Sequence, residues 1–273
     1  MLTERSARVR DARKLTRRQG RAKAGLFLAE GPQAVREALA ATAEERPGLV
    51  TELFVSAPAA TRYADLIDAA MAASVPVQHA DAPALAALSE TITPQGLVAV
   101  CRLLSVPLDT ALDGTPRLVA ILAEARDPGN AGTVIRCADA AGADAVVLSR
   151  GSVDPHGGKS VRASAGSVFH LPICADADLE TVIAAVRRRG LSMLAADGTG
   201  DLDLDEAEAT GLLARPAAWL FGNEAHGLPA AMRALADEVV RVPIYGRAES
   251  LNLATAAAVC LYASARVQRR PVR

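Results

Sequence analysis

At 273 residues the chain is long enough for one large or two ordinary domains. Its 51% hydrophobic content, with only 3% aromatic residues, points to a packed aliphatic core. Four Cys and four His are scattered, with no CxxC pair and no HExxH run, which argues against a metal site or a disulfide framework and for a reducing compartment. Net charge is only −1, yet residues 1–23 carry nine basic and two acidic side chains, a net +7 set against −8 elsewhere. That asymmetry suggests a polyanionic partner.

The N-terminus is charged from Glu4 onward and offers no signal peptide. The longest apolar stretch, 253–265, is shorter than the roughly 20 residues a membrane span needs. A soluble cytoplasmic protein without membrane contact is expected.

In residues 1–24, a basic arm, Arg10, Arg13, Lys14, Arg17, Arg18 and Arg21 recur at three- and four-residue steps. On a helix they form one basic stripe. It reads either as a phosphate-tracking surface or as a solvated tail that aids solubility. Residues 25–105 then alternate: strand 26–29, a helix opened by Gly31 and Pro32 and running to 43, strand 53–55, helix 62–73, strand 75–78, helix 82–88 and strand 96–104. This is a small α/β unit. Residues 106–117, with Pro, Asp and Gly and no sustained period, read as a linker.

Residues 118–273 form a second α/β unit. Strands are expected at 118–122, 145–148, 168–171, 191–195, 217–221 and 239–242. Helices are expected at 131–141, 159–165, 179–189, 229–236 and 251–268. Strands alternating with helices argue for a parallel sheet covered on both faces.

Three loops each leave an apolar run. Asp127-Pro-Gly-Asn-Ala-Gly-Thr places Asn130 as a helix cap or as a ligand-facing amide beyond the strand ends. Arg136 falls on an otherwise apolar helix face, as a snorkelling surface residue or a placed site group. Gly222-Asn-Glu224 follows a buried-looking strand; Gly permits close backbone approach, and Glu224 is a helix-start charge or a site group. Val242-Pro-Ile-Tyr-Gly-Arg-Ala-Glu-Ser-Leu-Asn252 ends at a helix start, where backbone groups can wrap a small polar ligand. Gly157-Gly158-Lys159-Ser160 fails the P-loop pattern, since Val153 stands where Gly is required, but Lys159 and Arg162 could touch phosphate. Gly198-Thr-Gly200 is no dinucleotide fingerprint, and GxSxG is absent.

Together the three loops resemble the motifs of the SpoU/TrmH family of RNA ribose 2′-O-methyltransferases, in the SPOUT superfamily. Asp127-Pro-Gly-Asn130 through Arg136 to Ala141-Gly142-Ala143 matches the first. Gly222-Asn-Glu224-Ala-His-Gly227-Leu228 matches the second, and Val242-Pro-Ile through Ser250-Leu-Asn252 the third. Residues 25–105, with Phe27-Leu-Ala-Glu30-Gly31 and Gly96-Leu-Val-Ala-Val100, resemble the family's RNA substrate-binding domain, related to ribosomal proteins.

The resemblance implies a C-terminal trefoil knot, which general topology rules would not suggest. It also implies a homodimer and S-adenosylmethionine bound by backbone groups of Gly222, Val242 and Leu251, with Ile244 lining the pocket. The reaction it implies is attack of a ribose 2′-oxygen on the sulfonium methyl, most simply on 23S rRNA. It offers Arg136, reaching in from the partner subunit, as the group that acts on the hydroxyl. Arginine stays protonated in proteins, so the role that suits it is to bind the neighbouring phosphate and stabilise a developing alkoxide. Asn130, Glu224, Ser250 and Asn252 would orient ribose, cofactor and loops. No metal is implied. RNA rather than DNA follows from the 2′-hydroxyl. The alternatives are a tRNA 2′-O-methyltransferase, a base methyltransferase of the same superfamily, and a non-catalytic RNA-binding or ribosome-assembly protein.

Overall fold

A computed structural model describes residues 1–269. The chain divides into two compact units, one of Met1–Leu104 with Asp154–His170, the other of Ser105–Val153 with the chain from Leu171 onward.

The first unit runs through α1 (Ala7–Arg13), α2 (Arg18–Ala24), β1 (Leu26–Glu30), α3 (Pro32–Glu44), β2 (Val50–Val55), α4 (Ala57–Arg62), α5 (Ala64–Ala72), β3 (Val77–His79), α6 (Ala82–Leu88) and β4 (Leu97–Arg102). Its sheet has the order β1-β4-β2-β3; β4 is antiparallel to both neighbours, and β3 is parallel to β2. Apolar residues of α1 and α6 cluster with Leu28, Phe54, Val98 and Val100 of the sheet.

Residues 1–24 are part of this unit rather than a separate arm. Val9, Ala12 and Leu15, at three-residue steps opposite the basic positions, are buried in its core. The single basic stripe also breaks. A 3-10 turn at Lys14–Thr16 and an extended Arg17 (φ −107°, ψ 138°) re-aim the second helix. Arg21 therefore points inward and is only 6% exposed.

The second unit begins with α7 (Leu108–Ala111), a short helix inside the expected linker, followed by β5 (Leu118–Leu122), α8 (Pro128–Ala141) and β6 (Ala145–Ser149). The next helix, α9 (Gly158–Ser164), belongs to the first unit. Then come β7 (Ile173–Ala177), α10 (Leu179–Arg188), β8 (Ser192–Ala196), β9 (Leu202–Asp203), α11 (Leu204–Ala209), β10 (Ala217–Phe221), α12 (Ala230–Arg233), β11 (Glu238–Arg241) and α13 (Leu253–Gln268). The seven strands are all parallel, in the order β7-β6-β5-β10-β8-β11-β9. The middle strands are buried along their whole length, as a sheet covered on both faces requires. The last helix packs along α8 and against β5, β10 and β8. At the centre, the Trp219 indole N–H donates to Ser264 Oγ at 2.9 Å, which satisfies both buried groups.

Three local expectations are corrected. The strand expected at 168–171 is a 3-10 turn, Ser167–Phe169, and β7 starts only at Ile173. Phe169 is drawn into the first unit, where its ring lies 6.0 Å from that of Phe27. Arg162 of α9 is no free phosphate ligand, because it donates to the buried Glu30 carboxylate at 3.0 Å. Finally, α11 was not foreseen, although Asp203 and Glu206 form a full capping box at its start.

Candidate active site

Because every strand of the larger sheet is parallel, the loops after β5, β8, β10 and β11 emerge at one edge, where open α/β sheets place their ligands. The chain builds that edge stiffly. Glu124, just past β5, adopts a left-handed conformation (φ 51°), a strained choice for a residue with a Cβ. Its N–H donates to Ser149 Oγ at 3.0 Å, and its carbonyl accepts from Asn223 Nδ2 at 2.7 Å. Asp127 then caps α8 by accepting from the Asn130 N–H at 2.9 Å, with Pro128 in the first turn. Of the two readings of Asn130, cap or ligand-facing amide, the first is excluded: it lies inside the first turn, and its side chain is available for other work.

That side chain joins all three loops. Glu224 Oε1 accepts from the Asp127 N–H at 3.1 Å and from Asn130 Nδ2 at 3.2 Å, and Oε2 accepts from the Arg126 N–H at 3.0 Å. Asn130 Oδ1 in turn accepts from Asn252 Nδ2 at 3.0 Å. Asn252 Oδ1 caps α13, accepting from the N–H groups of Ala254 at 2.9 Å and Thr255 at 3.3 Å. Partial burial works against ionisation of Glu224. The N–H groups of Arg126 and Asp127 and the Asn130 amide outweigh it, and hold the carboxyl below the usual carboxylate range.

Beside this chain of hydrogen bonds lies a cavity of about 490 Å³, within the range of small-molecule sites. Phe221, Val242, Ile244, Leu251, Leu253 and Ala256 give it apolar walls. Gly222 forms part of its floor, where a Cβ would meet the Gly227 carbonyl carbon at 2.3 Å. The loop 222–228 doubles back tightly there, closed by paired backbone bonds between Asn223 and Gly227 at 3.0 and 2.8 Å. Three carboxylates, Asp197, Glu224 and Glu249, line the cavity, and no Lys or Arg does. Such a pocket favours a cationic ligand over a polyphosphate.

Of the site residues read from the sequence, Gly222, Glu224, Val242, Ile244, Ser250, Leu251 and Asn252 line this cavity. Asn130 touches it through Glu224 and Asn252. Arg136 does not join them: it is exposed on the outer face of α8 and is not among the cavity's lining residues. Sequence reading missed Asp197, Asn223 and Glu249. Asp197 is 90% buried, and burial opposes its charge, but Thr199 donates to it from N–H at 3.0 Å and from Oγ1 at 2.6 Å and keeps its carboxyl low. Its signal was available, since it directly follows a strand at the ligand edge. Among the described residues no group of three or more His, Cys, Asp or Glu could hold a metal, and no helix is long and apolar enough to cross a membrane.

Residues 117–262 match the SpoU rRNA methylase family, and residues 6–99 match an MRM3-like substrate-binding domain. The chain is 35% identical to the 23S rRNA (guanosine(2553)-2′-O)-methyltransferase RlmP of Bacillus subtilis, over 93% of this chain and 94% of that one. It is 31% identical to the 23S rRNA (guanosine-2′-O-)-methyltransferase RlmB of Bordetella pertussis, over 84% of this chain and 94% of the other. Among solved structures, an AdoMet-bound rRNA methyltransferase from Sinorhizobium meliloti superposes with a TM-score of 0.81 at 30% identity, covering 96% of this chain and 95% of that one. The SpoU methyltransferase AviRb from Streptomyces viridochromogenes, in complex with AdoMet, gives 0.80 at 29% identity, covering 96% and 98%.

Proposed function

This chain belongs to the SpoU rRNA methylase family, and we propose that its site carries out S-adenosylmethionine-dependent methylation of a ribose 2′-hydroxyl, with 23S rRNA as the substrate. The carrying observation is the cavity among the three motif loops, lined by apolar side chains and three carboxylates and free of basic residues. Those residues fit the cofactor. The apolar walls suit an adenine ring, and the carboxylates suit the sulfonium and amino charges. Backbone groups of Gly222, Val242 and Leu251 would hold it, with Ile244 against the ring. When bound, it supplies an electrophilic methyl group.

A neutral ribose hydroxyl is a poor nucleophile, so the protein's tasks are alignment and stabilisation of the developing alkoxide. Glu224, Asn130 and Asn252 hold the loops in register through the hydrogen bonds above, and Ser250 adds a hydroxyl at the rim. Arg136 binds the phosphate beside the target ribose through its guanidinium fork. Its outward position on α8 suits action at the site of a second subunit. The protein is then a homodimer, to which α13 contributes an exposed stripe, including Val259 (38% exposed) and Tyr262 (52%), at helical spacing.

The test is incubation with methyl-labelled S-adenosylmethionine and unmodified rRNA or tRNA, followed by digestion to nucleosides. Label in a 2′-O-methyl nucleoside of 23S rRNA is expected. Label in tRNA would overturn the substrate, and label on a base would overturn the chemistry. Arg136→Ala should abolish transfer and leave cofactor affinity intact.

A further inference from the structure

The basic N-terminal segment folds into something more specific than a stripe. The 3-10 turn after α1 packs tightly against α2; a Cβ on Gly20 would lie 1.9 Å from the Lys14 carbonyl oxygen. Arg21 locks the corner. Its Nε donates to Asp154 Oδ2 at 2.8 Å, and its Nη1 donates to the carbonyls of Leu15 at 2.9 Å and Thr16 at 3.2 Å. The pair is buried, with Arg21 7% and Asp154 17% exposed. Asp154 also accepts from the His156 N–H at 2.9 Å, which fixes it in turn.

On the outside of this corner lies a concave surface of about 520 Å³ lined by Arg10, Arg13, Lys14, Arg17 and Lys23, with Thr16, Gln19 and Gly20 as its polar remainder. No acidic side chain lines it. All five cations are exposed. Lys14 pairs with Asp11 at 2.7 Å, and Arg10 lies within the field of the same carboxylate, whereas Arg13, Arg17 and Lys23 make no ion pair among those found between the described residues. Like charges crowded on one rigid face repel one another, and a polyanion relieves that cost.

Resting on the reading of the site as an RNA methyltransferase, we infer that this groove is a phosphate-backbone clamp for the rRNA substrate, held open by the Arg21–Asp154 buckle. The occupant is RNA because the second unit acts on a ribose 2′-hydroxyl, and because five cations in a groove track phosphates rather than read bases. Arg21, although basic, is excluded from contact; it positions the others.

The experiment compares the full chain with the Arg13→Gln/Arg17→Gln double variant. Arg36→Gln serves as a control, since Arg36 is exposed elsewhere in the same unit and pairs with Asp65. Binding of transcribed, unmodified 23S rRNA is titrated over a range of salt, and S-adenosylmethionine affinity is measured in parallel. Loss of two phosphate contacts should weaken RNA binding about tenfold or more and lower the log–log salt slope by roughly 1.5. Cofactor affinity should be unchanged, and the control should match wild type. If the double variant binds RNA with wild-type affinity and slope while wild type methylates rRNA, the clamp is refuted and the function stands. If wild type neither binds nor methylates any rRNA, the functional reading fails, and the clamp with it.

Discussion

Replacing Gly222 by Ala adds one methyl group where the 222–228 loop folds back on itself beside the cavity. The new Cβ would lie 2.3 Å from the Gly227 carbonyl carbon, 2.5 Å from its oxygen and 2.6 Å from the Leu228 nitrogen. All three are backbone atoms, so no side chain can swing aside, and relief requires the 222–228 loop to open. Opening breaks the two backbone bonds between Asn223 and Gly227, at about 1 kcal/mol each. Residual crowding adds about 1–2 kcal/mol. The total, about 3–4 kcal/mol, converts to a loss of roughly 150- to 700-fold in cofactor affinity at 1.4 kcal/mol per decade. Titration calorimetry with S-adenosylmethionine reads this directly. Gly246→Ala is the control, because nothing lies within 4 Å of its added Cβ, and it should bind normally. Cofactor affinity within twofold of wild type in Gly222→Ala would refute the claim that this close approach shapes the cofactor site.

Asn252→Ala removes both the α13 cap and the link to Asn130; it should cost about 1 kcal/mol of stability in thermal unfolding and most of the methyl transfer, whereas Asn252→Asp should restore the cap but not the donated bond or the activity. Ser264→Ala strands the buried indole N–H of the chain's one tryptophan, and tryptophan fluorescence should report the second unit destabilised by about 1–3 kcal/mol. Burial opposes the charge of Asp154, but His156 and Arg21 outweigh it and hold its carboxyl well below the usual carboxylate range. Its contribution is therefore fully present above about pH 4 and is lost as pH falls through the lowered value. In acid titrations followed by circular dichroism, Asp154→Asn should flatten the acid limb of stability. At neutral pH it should cost about 3 kcal/mol by leaving Arg21 buried without its counter-charge.

The site's frame was legible because it rests on local grammar. Strands such as Leu118–Leu122 and Ala217–Phe221 are short apolar runs, and each motif loop follows such a run or ends at a helix start. What stayed hidden depends on distant partners. Asn130 was readable either as a cap or as a site amide; Pro128 favours an earlier helix start and passes the capping role to Asp127. Arg21 shared the period of the basic stripe, and only the Asp154 carboxylate, far along the chain, shows why it turns inward. Residues 154–170 lie inside the second unit's sequence, yet Phe169 packs on Phe27 and Arg162 pairs with Glu30. No periodicity records those choices. The expected trefoil knot likewise rests on the family resemblance alone, since hydrophobic spacing carries no information on threading. The capping box at Asp203 and Glu206, by contrast, is a local signal legible in the sequence itself.

The central claim is tested most directly in cells lacking this protein, by mass-spectrometric mapping of methylated nucleotides in their 23S rRNA. The account predicts that one ribose 2′-O-methyl group disappears, returns with the wild-type gene and does not return with Arg136→Ala. An unchanged set of 2′-O-methyl nucleotides, or loss of a base methyl group instead, would contradict it.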